Sequence, residues 1–274
     1  MSPPKIVVFG TIIQDLISYT ERFPRPGETV RGTEFLSARG GKSANQAVAA
    51  ARLGAQVTLI AKVGDDILGE ENIKGLQESG VNVDRIEKSS NKPTGTALIT
   101  VNAVGEHIMV VSLGANLELD ESSAVRHADV LSGADVVIAQ ARAAVISRMV
   151  VNDVDGAKTA AAVIQRMGPR NVIITLGADG CVFKGSDESA SHIPGTPSEV
   201  VDTTGAGDCF CGSLAFFIAH NRRRGVYSSC DDCCIRDALK KAATIASLSV
   251  TRKGAQNSFW TRDEILQRYP DVFK

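Results

Sequence analysis

Asp208 closes the run "DTTGAGD", residues 202–208, in which Gly205, Ala206 and Gly207 lead directly into a carboxylate. Phe210, Leu214, Phe217 and Ile218 then recur at i, i+4, i+7 and i+8, which predicts a helix starting between Gly205 and Asp208 with one apolar face. Small residues in a first helical turn let a ligand approach unpaired backbone N–H groups. The helix dipole adds partial positive charge, so an anion such as a phosphate fits there. A carboxylate at the same turn opposes that anion unless it has another task. Asp208 reads either as a helix N-terminal stabiliser or, beside an anion hole, as a general base.

A second constellation lies in "RGGKSANQAVAAARLG", residues 39–54. Gly40, Gly41, Lys42 and Asn45 stand at the mouth of an alanine-rich helix that ends at Gly54. Glycines admit a ligand to the backbone, while a lysine and an asparagine offer directional donors to hydroxyl groups. Taken alone, Lys42 reads as a solvated lysine at a helix start.

These groups need a scaffold to hold them. "KIVVFG" and "QVTLIAKVG" read as buried strands ended by Gly10 and Gly64, and "LGEENIKGLQESGV" as a helix ending at Gly80. The alternation resembles the β-α units of a doubly wound sheet. "ADVVIAQ" and "RNVIITLG" are expected as further parallel core strands, with a helix in "DGAKTAAAVIQRMG" between them. Two stretches break the rhythm: "ETVRGTEFLSARGG" and "GTALITVNAVGEHIMVVSLG", with a turn at Ala103-Val104-Gly105, suggest antiparallel strands of a separate small sheet.

Composition narrows the partners. The 274 residues suffice for one large α/β domain, and 30 Lys+Arg nearly cancel 31 Asp+Glu, so neither a nucleic-acid footprint nor a polybasic membrane anchor is expected. No apolar run reaches the roughly 18 residues of a membrane span. "MSPPKIVVFG" has too short an apolar run for a signal peptide, so a cytoplasmic address is expected, with a nuclear one also open. The six cysteines lack the spacing of a disulfide scaffold, and "CDDCC" at 230–234 has no second ligand pair nearby, so it reads as loop sequence and not as a zinc site.

The segments 40–46 and 202–208 together resemble the two signatures of the ribokinase family of carbohydrate kinases. "TRKGAQ" at 251–256 matches a third element, and "RPGETV", "AKVGDDILGEE" and "VIITLGADG" extend the similarity over nearly the whole chain. The resemblance implies a three-layer α/β/α sandwich with a small β-sheet lid, its strands roughly within 11–38 and 95–113 of a single domain spanning 1–274. It implies transfer of phosphate from ATP to the 5-hydroxyl of D-ribose, with Mg2+ and K+ as cofactors and a homodimer formed through the lid. Asp15, Gly41, Lys42 and Asn45 match sugar contacts. Asp208 matches the catalytic base, which also touches the sugar, and Gly205, Ala206 and Gly207 match the anion hole. Thr175, Gly177 and Gly180 match the nucleotide loop. Asp202, Thr204, Ser249, Arg252, Gly254 and Ser258 match the monovalent-cation site, mostly through backbone carbonyls.

The chain also departs from the family pattern. After "VVIAQ" the family has leucine and a sugar-binding glutamate, where this chain has Ala141 and Arg142. Only residues 141–170 separate "VVIAQ" from "NVIITLG", where the family places two more β-α units, each of about 30 residues with its neighbouring strand. The family's N-x-x-E motif falls in that gap, and "ARAAVISRMVV" is expected to bridge it as a helix. A longer-than-usual segment, "NRRRGVYSSCDDCC", is expected as an exposed loop. A catalytically deficient relative, binding sugar or nucleotide or modulating a full-length enzyme, is therefore the competing expectation. If the chain is a shortened gene product, its parent genomic sequence should encode an N-x-x-E segment between Gln140 and Lys158; an uninterrupted coding region lacking one contradicts this.

Overall fold

The computed structural model describes residues 2–139, 153–186, 189–225 and 232–273. Along the chain, β1 (Lys5–Phe9) crosses into β2 (Ile13–Tyr19) and β3 (Glu34–Gly40), which runs straight into α1 (Lys42–Arg52). Then come β4 (Gln56–Gly64), α2 (Ile67–Glu78), β5 (Val81–Asn82), β6 (Ile86–Ser89), β7 (Gly95–Val101) and β8 (His107–Ser112). Two short helices, α3 (Glu121–Arg126) and α4 (Ala128–Ser132), precede β9 (Val136–Ala139). After α5 (Val154–Gln165) follow β10 (Val172–Thr175), β11 (Cys181–Lys184) and β12 (Ser191–Ile193), then α6 (Ala206–Arg223), α7 (Asp232–Ser249) and α8 (Arg262–Arg268).

The parallel sheet has the order β5-β4-β1-β9, with β6 alongside the far half of β4. Ile6, Val7 and Val8 are all buried, as expected of a strand covered on both faces. Residues 43–50 of α1 are buried without exception, and four of them are alanines, which let the helix lie close to its neighbours. Helix α6 packs on α1 and on the sheet, contributing Phe216 and Phe217 to the core that Phe259 and Trp260 complete. The two helices approach closely at Gly212: a Cβ there would lie 2.5 Å from the backbone oxygen of Gln46 and 2.8 Å from Ala49 Cβ.

A four-stranded sheet, β3-β2-β7-β8, stands apart from the parallel one, giving the three-layer α/β/α sandwich with a separate small sheet. Asn116 fixes the chain where it passes between them, accepting from Ile12 N–H at 2.9 Å and donating to the Ile12 carbonyl at 2.8 Å. Asp66 makes a second tie by accepting from Thr94 N–H and its hydroxyl, just before β7. The antiparallel pairing expected of this sheet holds for β2–β3 and β7–β8, but β2 and β7 run parallel.

Other expectations need correction. "ADVVIAQ" does supply a parallel strand, β9 beside β1. "RNVIITLG" does not: β10 pairs antiparallel with β11 in a separate β10-β11-β12 sheet, and among the described residues it has no pairing with β9. An apolar run alone carries no information about the direction of its partner. The segment "NRRRGVYSSCDDCC" is not all loop either. Asn221–Arg223 extend α6, where Arg222 donates to the Asp135 carbonyl and Arg223 pairs with the Asp135 carboxylate, while Cys233 and Cys234 lie in α7. Arg142, the expected bridging helix and Cys230 fall outside the described residues.

Gly212→Val should destabilise the protein by about 1–3 kcal/mol in chemical denaturation, because backbone at 2.5 Å has no room to yield; an unchanged midpoint would contradict this close helix contact.

Candidate active site

The N-terminal turns of α1 and α6 meet around Asp208. Helix α6 starts where the sequence places it, with Gly205 as N-cap in the left-handed region at φ +77°. Packing demands that glycine, since a Cβ would lie 2.9 Å from Ala255 Cβ. Gly207 is different: a Cβ there would meet nothing within 4 Å. Ala206 N–H donates to the Thr203 carbonyl at 3.2 Å, whereas the N–H groups of Gly207 and Asp208 have no partner among the described residues. Gly205 N–H likewise has no partner among the described residues, so the donors left for an anion flank Ala206 and do not include it.

Asp208 is only 8% exposed, and both carboxylate oxygens are held by neutral amides. Asn45 Nδ2 donates to Oδ2 at 2.9 Å, and Gln46 Nε2 donates to Oδ1 at 3.1 Å. Asn45 in turn accepts from Gln256 Nε2 at 3.1 Å. Gln46 and Gln256 were given no role from the sequence. The available signal was the pair Asn45-Gln46 inside an otherwise apolar helix, since a buried amide needs a polar partner. The neighbouring Cys209 is an inert thiol, pushed up to about 12 by burial.

Asp15, on β2, lies against Gly40 at the end of β3: a Cβ on Gly40 would sit 2.3 Å from its Oδ2. Gly40 thus makes room for a carboxyl group, which burial pushes up to about 6. Gly41 caps α1 at φ +92°, and a Cβ on it would approach Ile13 N to 2.7 Å and Thr11 O to 2.8 Å. Packing against the β1–β2 crossing therefore suffices to require this glycine. Lys42 is exposed at the first position of α1, and its charge reaches Cys211 on α6.

A cavity of about 500 Å³ runs from Ala206 and Gly207 to Thr175, Gly177 and Gly180. Sequence reading missed its other walls, Thr196, Pro197 and Val200 on one side and Ala243, Ala246 and Ser247 of α7 on the other. Small and apolar residues on a helix look like ordinary core, so no sequence signal marked them. Gly195 keeps the loop tight, since a Cβ there would meet Ala178 O at 2.2 Å.

Among the residues matched to a cation site, Asp202, Thr204 and Gly254 come together. Asp202 Oδ1 accepts from the Thr204 hydroxyl at 2.6 Å and from Thr204 N–H at 2.9 Å, and Oδ2 accepts from Gly254 N–H at 2.8 Å. Burial would raise the Asp202 carboxyl, but these bonds and the nearby Lys253 charge outweigh it and hold the group below the usual carboxylate range. The Ser249 and Ser258 hydroxyls donate to carbonyls three residues back. Arg252 turns its guanidinium to Glu264, at 2.9 Å, and over the Trp260 ring, so only its backbone remains for the loop. The described residues contain no cluster of three His, Cys, Asp or Glu side chains suited to a metal.

The description of the pfkB family of carbohydrate kinases matches residues 3–149 and 124–262. The chain belongs to that family. It is 33% identical to mouse ribokinase over 303 aligned positions, covering 93% of this chain and 91% of that protein. Its fold superposes on ribokinase from Giardia lamblia with a TM-score of 0.87 at 26% identity over 100% of both chains. Arabidopsis thaliana ribokinase, solved as a complex with ribose and ATP, gives 0.80 at 25% identity over 97% of this chain and 98% of that one. Members of the family phosphorylate sugars at the expense of ATP.

Proposed function

We propose that this chain transfers the γ-phosphoryl group of ATP to the 5-hydroxyl of D-ribose. The observation that carries the reading is the placement of Asp208: a buried carboxylate, held by Asn45 and Gln46, next to Gly207, which lines the cavity of about 500 Å³ and whose N–H has no partner among the described residues. ATP would lie in the cavity with its phosphates toward Gly207, whose missing side chain leaves open space. Asp208 would take the proton of the sugar hydroxyl as its oxygen forms the new bond to γ-phosphorus. The bond from γ-phosphorus to the bridging oxygen breaks in line, and ADP leaves with that electron pair. The N–H groups of Gly205, Gly207 and Asp208, without partners among the described residues, would offer positive charge to the transferring group. Asp15, Gly41, Lys42 and Asn45 would bind the sugar.

A monovalent cation such as K+ would sit near Asp202, Thr204 and Gly254, which the structure brings together, with the backbone carbonyls of Ser249, Arg252 and Ser258 as the further ligands the resemblance implies, and it would add positive charge beside the anion hole. Mg2+ would arrive with the ATP phosphates, and no residue of this chain is assigned to it.

The small sheet supports a dimer. Leu16, Leu98 and Val110 share one row and Ser18, Phe35 and Ile108 the next on the same face, opposite the face that carries Asp15. Phe35, Leu98, Ile108 and Val110 are at least half exposed, so a second copy covering them would bury apolar surface, which sedimentation would detect.

One observation favours the catalytically deficient alternative. The alignment with mouse ribokinase spans 303 positions against the 274 residues here, in keeping with a missing internal segment.

Purified protein with D-ribose, Mg-ATP and K+ should release ADP in a ribose-dependent manner, and Asp208→Ala should lower kcat by about 10²–10⁴-fold. Ribose or ATP binding without turnover above that variant would select the deficient relative. The KM for sugar should rise as pH falls below about 6, where Asp15 becomes protonated and loses acceptor capacity, and Asp15→Asn should flatten that dependence. The same pH response in both proteins would remove Asp15 from the sugar site.

A further inference from the structure

Gln256 ends a buried polar chain that leads to Asp208. It opens the 3₁₀ turn Gln256–Ser258, is 6% exposed, and donates through Nε2 to Asn45 Oδ1. The directions along this chain are set by chemistry. A carboxylate only accepts, so Asn45 must turn its NH2 group toward Asp208. Its carbonyl oxygen then faces Gln256, which must answer with an NH2 group of its own. If the Asn45 amide flipped, its oxygen would face a carboxylate oxygen and both would repel. Helix α1 fixes the Asn45 backbone, but the terminal torsion of an asparagine is broad, so its amide needs a partner on each side. Gln46 lacks such an anchor: its Oε1 is buried without a hydrogen-bond partner among the described residues. The Asn45 branch is thus the anchored one.

The same loop also engages Asp202. Gly254 N–H donates to Asp202 Oδ2 at 2.8 Å, two residues before Gln256. Displacing this loop would move both the Asp202 partner and the donor that orients Asn45.

We propose that Gln256 is a positioning residue for phosphoryl transfer: it locks the Asn45 amide with its NH2 group toward Asp208, and so ties the orientation of the base to the loop that carries Gly254. This rests on Asp208 being the base. Substitutions of similar size separate orientation from packing. Gln256→Met keeps the length and removes the donor. Gln256→Glu keeps the shape but, when ionised, sets an acceptor against Asn45 Oδ1 and favours the flipped amide.

At the K+ concentration that saturates the wild-type protein, kcat should fall about tenfold in Gln256→Met, the scale of one lost hydrogen bond, and further in Gln256→Glu. The sugar KM should rise in both while the ATP KM stays unchanged, a split that a general packing defect does not produce. A second readout needs no turnover. The side-chain amide pair of Asn45 in 15N spectra, identified by its loss in Asn45→Asp, should exchange slowly with solvent in the wild-type protein and should shift and exchange faster in Gln256→Met. An unchanged Asn45 pair in Gln256→Met overturns the proposal, as does recovery of its kcat on raising K+, which would assign Gln256 to the integrity of the loop instead. If the wild-type protein turns nothing over, the phosphoryl-transfer reading fails, and the amide spectra still decide whether Gln256 orients Asn45.

Discussion

The backbone contact between α1 and α6 at Gly212 governs the rest of the site. Without a side chain at that position, the carbonyl of Gln46 and the α6 backbone come close enough for Asn45 and Gln46 to reach across to Asp208. The two helices start at the same end of the core, so each delivers its N-terminal turn, with the partial positive charge of that turn, to one place. A bulkier residue at position 212 would separate the helices and leave a buried carboxylate without its donors, a far worse state than an exposed one.

That arrangement accounts for the polarity of the buried site. Asp208, Asn45, Gln46 and Gln256 are each under 9% exposed in a region otherwise built of alanine, valine and phenylalanine. Such a group persists because its members satisfy one another, and in low dielectric each bond restricts orientation more strongly than it would in water. Of these four side chains, Gln46 alone has a buried atom, Oε1, without a hydrogen-bond partner among the described residues.

The two sheets contribute differently. The parallel sheet anchors the helices, whereas the small sheet supplies Asp15 and leaves an apolar face outward. The clamps at Asn116 and Asp66 hold the small sheet against the core through hydrogen bonds and not through a continuous strand ladder. The β10-β11-β12 sheet frames the cavity from the other side through Thr175 and the Gly177–Gly180 turn.

Much of this was legible in the residues themselves. The helix after Gly205, the strand-helix alternation up to Gly80 and the turn at Gly105 all follow from local periodicity and from glycine at positive φ, properties of short stretches of chain. Motif resemblance identified the family because its two signatures are contiguous in sequence. The direction of β10, the parallel pairing of β2 with β7 and the alanine wall of α7 were not legible, since each depends on which distant segment arrives alongside. The sequence by itself determined the helix after Gly205, the strand-helix alternation up to Gly80 and the carboxylate at the head of α6. Only the tertiary structure decided that Asn45, Gln46 and Gln256, remote from Asp208 along the chain, would be its hydrogen-bond network, because an amide's role is set by the partner that burial forces upon it.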